Sequence, residues 1–276
     1  MQTKTKELTI KAGRTEALYW QDLWRYRELF YFLAWRDILV RYKQTAIGIT
    51  WALIRPFLAM LISTIVFGNL ARLPSGGLPY PLLVFAAMLP WQFFANSLSE
   101  ASLSLINNAN LVSKIYFPRF IVPASSVIVS FVDFLISGML LLALMIWYNF
   151  VPNWRIVTLP FFMTIAIAAA IGGGLWLAAL NVRYRDFRHI VPFIVQFGFY
   201  ISPVAYSSSI IPQQWRLLYS LNPMVGVIDG FRWATLGGKT QLYLPGFLLS
   251  TILVAVLLTS GIWYFRATER TFADVI

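Results

Sequence analysis

The chain has 276 residues, of which 59% are hydrophobic and 12% are charged, and its formal net charge is +11. An ordinary soluble domain carries roughly 25% charged residues, so this composition excludes that class. The chain has no cysteine, which excludes disulfides, zinc–cysteine clusters and cysteine nucleophiles. The sequence therefore predicts a protein that sits in a membrane.

The first of two predicted units is residues 1–43, which precede the first long apolar run. Residues 1–17 are polar, whereas residues 18–43 mix aromatic side chains with alternating charges. That mixture is typical of a helix that lies in the membrane interface, although an amphipathic helix packed on protein explains it equally well. Nearly fifty residues precede the first apolar run, and no small-residue cleavage site follows a short apolar core, which argues against a secretory signal peptide.

The second predicted unit, residues 44–276, contains six apolar runs long enough to approach or exceed the length of a membrane-crossing helix. The sequence therefore predicts an all-α integral membrane protein with six transmembrane helices. In the fourth run, Ala166, Ala170 and Gly174 recur at four-residue spacing and Gly172 to Gly174 are consecutive, which predicts the close approach of another helix. The six predicted spans are about 49–70, 80–98, 120–150, 156–180, 190–206 and 244–265.

Residues 207–243, between the fifth and sixth spans, are too apolar for a solvated loop, yet each apolar piece is too short to cross a bilayer. Asn222 and Pro223 interrupt the helical pattern, so we expect two short re-entrant helices on the outer side. The motif GGKT at residues 237–240 has Trp233 where a phosphate-binding loop needs glycine. We therefore expect no nucleotide site in this segment.

Lysine and arginine are concentrated in alternate connections between the apolar runs. Sixteen lie in the N-terminal segment, the second and fourth connections and the C-terminal tail, whereas five lie in the opposite connections. By the positive-inside rule this places both termini in the cytoplasm. The same distribution argues against nucleic acid as the partner of the positive charge.

Few side chains in the apolar runs could carry acid–base chemistry. Asp133 is the one acidic residue well inside a predicted span, and a polar contact between helices explains it better than a proton relay, since no second carboxylate is expected at its depth. His189 belongs to a cytoplasmic connection, where contact with water or a lipid headgroup is expected. An integral-membrane enzyme such as a glycosyltransferase needs a clustered site, and Asp133, Glu100 and His189 are too dispersed in sequence to predict one.

The aromatic side chains offer a different chemistry, because their flat apolar faces suit the C–H groups of sugars. A translocation path for a glycan could therefore be lined by them, although packing against lipid or other helices explains any single one. The candidates for such a path are Trp51, Phe57, Trp91, Phe93, Phe193, Phe197, Phe199, Tyr200 and Tyr206.

Two cytoplasmic connections share one pattern: both are short, amphipathic and basic, and both end at a proline. Proline limits extension of the preceding helix and fixes the angle at which the next span begins. The pattern predicts short helices that dock on a peripheral subunit, with anchoring by anionic lipid headgroups as the alternative. The two connections read INNANLVSKIYFPRFIVP and NVRYRDFRHIVP.

Several blocks, taken in order, resemble the permease subunit of ABC type-2 exporters of bacterial O-antigen, capsule and teichoic acid. The resemblance runs from about Glu28 to Arg266 and rests on LAWRDILVRYKQTAIGITWALIRP, LPWQFFANSLSEASLSLINNANLVSKIYFPR, LNVRYRDFRH, SPVAYSSSIIP and LNPMVGVIDGFR. It implies a multi-pass protein of the bacterial cytoplasmic membrane in which two permeases pair and bind two ATPase subunits. ATP and Mg²⁺ would be held by those subunits, and this chain would have no cofactor or catalytic residue of its own.

The resemblance also implies roles for particular residues. The first connection would be the principal coupling helix, with contacts to the ATPase from Asn110, Lys114, Tyr116, Phe117, Pro118 and Arg119. The second would contribute Arg183, Tyr184, Arg185 and Asp186, whose charges would keep the turn in the cytoplasm and transmit movement of the ATPase to spans four and five.

The substrate implied by the resemblance is a lipid-linked polysaccharide. Its pyrophosphate would be attracted to Arg36, Arg41 and Lys43 near the interface helix, and the sugar chain would then slide along the aromatic path between the two copies. A related exporter that carries a drug, haem or a small lipid is the alternative.

Overall fold

The computed structural model describes residues 17–43, 50–184 and 186–272, and every regular element within these ranges is helical. Helices satisfy all their backbone hydrogen bonds internally, as a bilayer requires. The helices are α1 (Ala17–Arg25), α2 (Arg27–Lys43), α3 (Thr50–Ser63), α4 (Tyr80–Asn107), α5 (Ala109–Lys114), α6 (Ile121–Trp147), α7 (Leu159–Arg183), α8 (Phe187–Ile201), α9 (Gln213–Tyr219), α10 (Pro223–Thr235) and α11 (Leu244–Thr268).

Five helical segments of the described chain are long and apolar enough to cross a bilayer. They confirm the all-α membrane fold and match the first, second, third, fourth and sixth predicted spans. The first joins α3 to a π-helical turn, and the fourth begins with a 3₁₀ turn before α7. The five segments are Thr50–Leu70, Tyr80–Asn107, Ile121–Trp147, Trp154–Arg183 and Leu244–Thr271.

The fifth predicted span, residues 190–206, is helical only as far as Ile201. Its helix, α8, has 15 residues, which extend about 22 Å of the roughly 30 Å of hydrocarbon. The helix ends at Ile201 because Ser202 precedes Pro203, and a residue before proline is pushed out of the helical region; Ser202 is extended, with φ −87° and ψ 153°. Residues 202–206 do not form a helix.

Helix α4 is the centre of the molecule. It packs against α6, α7, α8 and α10, and its side chains from Leu82 to Met88 are almost completely buried. The surrounding helices bury one side against α4 and leave apolar side chains on the other, as expected for helices that face lipid.

The small residues of α7 pack where the sequence predicted a close helix approach. A Cβ atom added to Gly172 would lie 2.7 Å from the Cα atom of Leu258 in α11, and one added to Gly261 of α11 would meet the carbonyl oxygen of Gly172. On its other side, Gly174 packs against the Cβ atom of Ala101 in α4. The prediction of close backbone packing at this seam is therefore confirmed.

The predicted interface helix is two helices, since the chain bends at Tyr26 between α1 and α2. One side of α2 is buried at Leu33 and Ala34, and Leu33 joins a small core with residues from α4, α6, α7 and α11. The other side exposes aromatic rings, among them Tyr31 and Trp35, which stack with centroids 6.4 Å apart. Helix α2 therefore has both a protein-packed side and an exposed apolar side.

The two short helices expected between the last two spans are present as α9 and α10, and the break falls at Asn222 as predicted. The Asn222 side chain caps α10 by accepting a hydrogen bond from the backbone N–H of Met224 at 3.0 Å. Helix α10 is buried along most of its length against α4, α7 and α11.

We expect Gly172→Ala to lower the thermal stability of the purified protein, because its new methyl group would meet the backbone of α11 and overpacking costs about 1–3 kcal/mol. The matched control is Gly138→Ala in α6, where nothing lies within 4 Å of an added Cβ and the gain in helix propensity is about 1 kcal/mol. Thermal unfolding in detergent measures both. Equal melting temperatures for the two variants would contradict this account of the seam.

Candidate functional site

A charged cluster joins α2 to two of the long apolar helices, α4 and α6. The guanidinium of Arg41 in α2 donates from Nη1 to Oδ2 of Asp133 in α6 and from Nη2 to Oε1 of Glu100 in α4, both at 2.6 Å. The hydroxyl of Tyr42 donates to the other oxygen of Asp133. The Asp133 side chain is 18% exposed, so this carboxylate is compensated inside the protein rather than by water.

This cluster confirms that Asp133 makes a polar contact between helices. It also shows that Asp133 and Glu100, which are far apart in sequence, lie close together in the structure. Glu100 and Asp133 share one arginine although they are 33 positions apart in sequence. Burial and the hydrogen bond to Asp133 raise the pKa of Tyr42, so its hydroxyl stays a donor at neutral pH. His189, the third residue considered for an acid–base site, is exposed in the first turn of α8.

The three basic residues predicted to attract a lipid pyrophosphate differ in their surroundings. Arg41 is engaged by two carboxylates, and Arg36 donates to Asp37 and, at 2.8 Å from Nη2, to the side-chain oxygen of Asn108. Lys43 is exposed and is in no ion pair among the described residues. Of the three, Lys43 presents its charge most freely at the surface.

The first cytoplasmic connection forms α5 and the turn after it, and only part of its motif faces outward. Asn110, Lys114 and Tyr116 are exposed, whereas Phe117 and Pro118 are buried. The predicted contact of these last two side chains with a partner is therefore not available in this conformation, because Phe117 packs in the core that includes Leu33.

Two polar contacts hold the ends of this connection. Asn108, just before α5, binds Arg36 of α2. Arg119, after the turn, donates its backbone N–H to Oε1 of Glu269 at 2.7 Å and its guanidinium to the Glu269 carbonyl oxygen. The connection is thereby tied to the interface helix at one end and to the end of the last span at the other.

The second connection is short and exposed in its described part. Arg183, Tyr184 and Asp186 are exposed, and the guanidinium of Arg183 lies 5.3 Å from the centroid of the Tyr184 ring. Arg185 lies outside the described residues. Just before this turn, the amide of Asn181 in α7 donates to the Ser102 carbonyl oxygen of α4 at 2.9 Å, which ties α7 to the helix that precedes α5.

The nine candidate path aromatics separate into exposed and buried groups. On α8, Phe193, Phe197 and Tyr200 are 59%, 48% and 61% exposed and lie on one face, with the two phenylalanine rings 4.1 Å apart. Trp51 and Phe57 on α3 are also exposed.

The other candidates are partly or fully covered by the protein. Phe199 is half-buried, and so is Tyr206, whose hydroxyl lies 2.9 Å from that of Tyr219. Trp91 and Phe93 are buried within this chain, and their place on a path stays a prediction. Trp91 packs on Gly198 of α8, and Phe93 packs on Phe131 and Phe134 of α6.

The non-helical segment after α8 is held by a buried arginine that the sequence did not single out. Arg232 of α10 is 1% exposed, and its guanidinium donates to the carbonyl oxygens of Leu83 at 2.9 Å, Val204 at 2.7 Å and Tyr206 at 2.6 Å. The carbonyl between the last two, that of Ala205, accepts from the Tyr80 hydroxyl at 2.7 Å. Three consecutive carbonyls outside any helix thus have donors.

Sequence reasoning missed Arg232, Glu100 and Glu269 as structural partners. Arg232 was counted only among the outer basic residues, and Glu100 was considered only as a catalytic carboxylate. The available signal was the position of Arg232 in an otherwise apolar segment, since a buried guanidinium needs acceptors. Which acceptors it meets depends on α4 and on the segment after α8, and no spacing in the sequence contains that information.

Comparison with known families assigns the chain. The family model of the ABC-2 type transporter matches residues 28–236, which include helices α2 to α10. The chain belongs to this family.

The chain is also similar to permeases whose names refer to polysaccharides. It is 28% identical over 260 residues to the O-antigen export system permease protein RfbA of Myxococcus xanthus, covering 93% of this chain and 98% of that protein. It is 27% identical to a protein of the same name from Klebsiella pneumoniae, covering 87% and 92%. It is 24% identical to the polysialic acid transport protein KpsM of Escherichia coli, covering 81% and 89%.

Together, the fold and the family define a multi-pass membrane permease of the ABC-2 type. The charged cluster, the two cytoplasmic connections and the exposed aromatic faces are positions at which such a permease could receive movement and substrate. The relatives are transport permeases by name, in agreement with the family.

We expect Arg41→Gln to destabilise the purified protein, because two carboxylates would then face each other without their shared cation. Adding Asp133→Asn should recover part of the loss, with a coupling free energy of about 1 kcal/mol in a double-mutant cycle. Thermal unfolding of the four proteins measures this coupling. Lys43→Gln on the same helix is the control and should change little; additive losses at Arg41 and Asp133 would refute the cluster.

Proposed function

We propose that this permease exports a lipid-linked polysaccharide, O-antigen most specifically, from the cytoplasmic to the outer side of the bacterial inner membrane. The observation that carries the proposal is the similarity to an O-antigen export permease over 93% of the chain. The chain would form the membrane channel, with both termini in the cytoplasm as the distribution of basic residues favours.

The partners in this proposal are a second copy of the chain and two ATPase subunits that hold ATP and Mg²⁺. ABC-2 permeases work with a nucleotide-binding subunit. The GGKT sequence of this chain lies in the connection after α10, where Gly237 and Gly238 form a turn with positive φ rather than precede a helix. A separate subunit would therefore supply the energy of ATP.

The exposed apolar side of α2 supports the proposal that a glycolipid enters the permease beside this helix. Phe32, Trp35, Leu39 and Val40 form a shallow apolar recess of about 280 Å³ together with Arg36 and Lys43. An apolar recess with a basic end suits a lipid chain joined to an anionic phosphate. Lys43, which is in no described ion pair, would attract the pyrophosphate, whereas Arg41 would hold the helix to α4 and α6.

The exposed aromatic faces of α3 and α8 support a path for sugars. Phe193, Phe197 and Tyr200 recur along one face of α8 at helical spacing, and Trp51 and Phe57 are exposed on α3. Aromatic rings offer flat surfaces to sugar C–H groups without fixing one orientation, which allows a chain to slide. These faces would line the channel where two copies of the chain meet.

The cytoplasmic contacts support a route by which the ATPase moves the spans. The exposed part of the first connection, Lys114 to Tyr116, would receive the ATPase. Because Asn108 is bonded to Arg36 and Arg119 to Glu269, displacement of this connection would move the interface helix and the last span together. Arg183, Tyr184 and Asp186 would form the second contact, at the turn between α7 and α8.

Deleting the gene should leave the polysaccharide inside the cell while the surface becomes bare, because synthesis would continue and export would stop. Fractionation of the cells, followed by glycan assay of the surface and of the cytoplasmic leaflet, measures both pools. Expression of the wild-type chain from a plasmid is the control and should restore the surface polymer.

Two other results of the deletion would contradict this proposal. An unchanged surface polymer would favour a different cargo, such as a drug, haem or a small lipid. Loss of polymer from every fraction would indicate a role in synthesis.

Charge reversal at the cytoplasmic contacts should reduce export without preventing insertion. We expect Lys114→Glu combined with Asp186→Lys to lower surface polymer about tenfold or more, equivalent to at least ~1.4 kcal/mol of lost coupling. Surface glycan, the amount of permease in the membrane and ATP hydrolysis by the complex are measured together. Arg270→Glu, an exposed cation near the end of α11, is the matched control, and normal export by the double variant would refute the coupling role.

A further inference from the structure

A cavity of about 300 Å³ lies among α9, α10 and the start of α11, on the side of the protein that the charge distribution places outside. Its volume is at the lower end of small-ligand sites, which span roughly 300–1,000 Å³, so it suits one small unit rather than a long chain. None of the coupling and path residues proposed above lines this cavity, although Tyr219, which does, contacts Tyr206. The polar part of the lining is Ser208, Ser209, Arg216, Tyr219, Ser220, Gln241 and Tyr243 together with Asp229.

Asp229 is the acidic side chain that lines this cavity. It is 8% exposed, it lines the cavity, and it is in no ion pair among the described residues. Arg232, one turn further along α10, uses its guanidinium on the three carbonyls of Leu83, Val204 and Tyr206 instead. The Ser208 hydroxyl is a hydrogen-bonding neighbour of the carboxylate. Because a carboxylate can accept about four hydrogen bonds, Asp229 can also accept from a ligand that donates.

The walls of the cavity are fixed by hydrogen bonds. Arg216 donates from Nε to the Ile211 carbonyl oxygen at 3.0 Å and from Nη2 to that of Ser209 at 3.1 Å, which holds the turn before α9. The Ser220 hydroxyl donates to the Arg216 carbonyl oxygen at the end of α9. The Ser250 hydroxyl of α11 donates to the Ser220 carbonyl oxygen, which joins α11 to the end of α9. The site is therefore formed before any ligand arrives.

The charges around the cavity select the class of ligand. Arg216 lines it and Arg232 lies behind it, so a cation is disfavoured, while Asp229 disfavours an anion. Hydroxyl groups can donate to the carboxylate and accept from the guanidinium and from the amide of Gln241. The rings of Tyr243 and Phe247 add apolar surface against which C–H groups can pack.

We propose that this cavity binds one neutral, hydroxyl-rich sugar unit on the outer side of the membrane, with Asp229 as the principal acceptor. That the sugar is cargo rests on the proposed function. The bound unit would then belong to the polysaccharide as it leaves the channel. Holding one unit there would oppose backward sliding between power strokes of the ATPase.

The absence of cysteine from the natural chain makes a direct test possible. Gln241→Cys places a thiol at the cavity, and Gln214→Cys places one on the exposed surface of α9 outside the cavity. The purified variants are labelled with a maleimide in the presence of methyl α-D-mannoside, methyl β-D-galactoside or N-acetyl-D-glucosamine. With half of the cavities occupied, labelling of Gln241→Cys should slow by about half, since only the free form reacts, whereas labelling of Gln214→Cys should not change.

Substitution at the carboxylate decides whether the protection arises in this cavity. Adding Asp229→Asn to Gln241→Cys should abolish protection by sugar. Adding Ser208→Ala instead leaves the buried carboxylate in place and should weaken the protection. This second variant is used if Asp229→Asn does not fold. Protection by none of the three sugars, equal protection of Gln214→Cys, or protection by glycerol phosphate instead of a sugar would overturn the proposal. The labelling assay needs neither the ATPase nor the polymer, so it is independent of the gene deletion. If sugars protect the cavity but the deletion leaves the cell surface unchanged, the export proposal is refuted and the sugar site is not.

Discussion

The guanidinium of Arg232 stabilises the non-helical segment that follows α8. Helix α8 ends at Ile201, and the chain then runs without helical hydrogen bonds through residues 202–206. Arg232 supplies donors to Val204 and Tyr206, and Tyr80 supplies one to Ala205. Because a buried carbonyl without a donor is costly, these contacts stabilise the segment after α8, whose helix ends before Pro203, and they fix the position of α10 against α4.

The cytoplasmic half is organised by contacts of the same kind. Arg41 holds α2 to α4 and α6, Asn108 holds α5 to α2 through Arg36, and Glu269 holds the turn after α5 to the end of α11. The contacts of Arg41 and Glu269 join a surface element to a span, and that of Asn108 joins two surface elements, whereas the spans pack on one another mainly through apolar and small side chains. Polar contacts thus define how the short helices α2 and α5 are connected to the long apolar helices.

Much of the fold follows from the pattern of residues. Five spans, the close packing at Gly172 and Gly174, the break at Asn222 and the polar contact of Asp133 all agree with prediction, because span length, glycine spacing, proline geometry and the cost of a buried charge are local properties. The length of α8 and the burial of Trp91, Phe93, Phe117 and Pro118 were not predicted. An aromatic side chain has the same composition whether it faces lipid, a channel or another helix, and only its neighbours decide among these.

The sequence by itself determined the membrane class, the approximate spans and, through its ordered blocks, the ABC-2 resemblance that the family comparison confirmed. The tertiary structure alone decided that Arg41 is shared by Glu100 and Asp133, that Arg232 binds carbonyls rather than Asp229, and that Asp229 faces a cavity. The physical reason is that apolarity and helix length are read along the chain, whereas the partner of a buried charge comes from residues distant in sequence that packing brings within hydrogen-bonding distance.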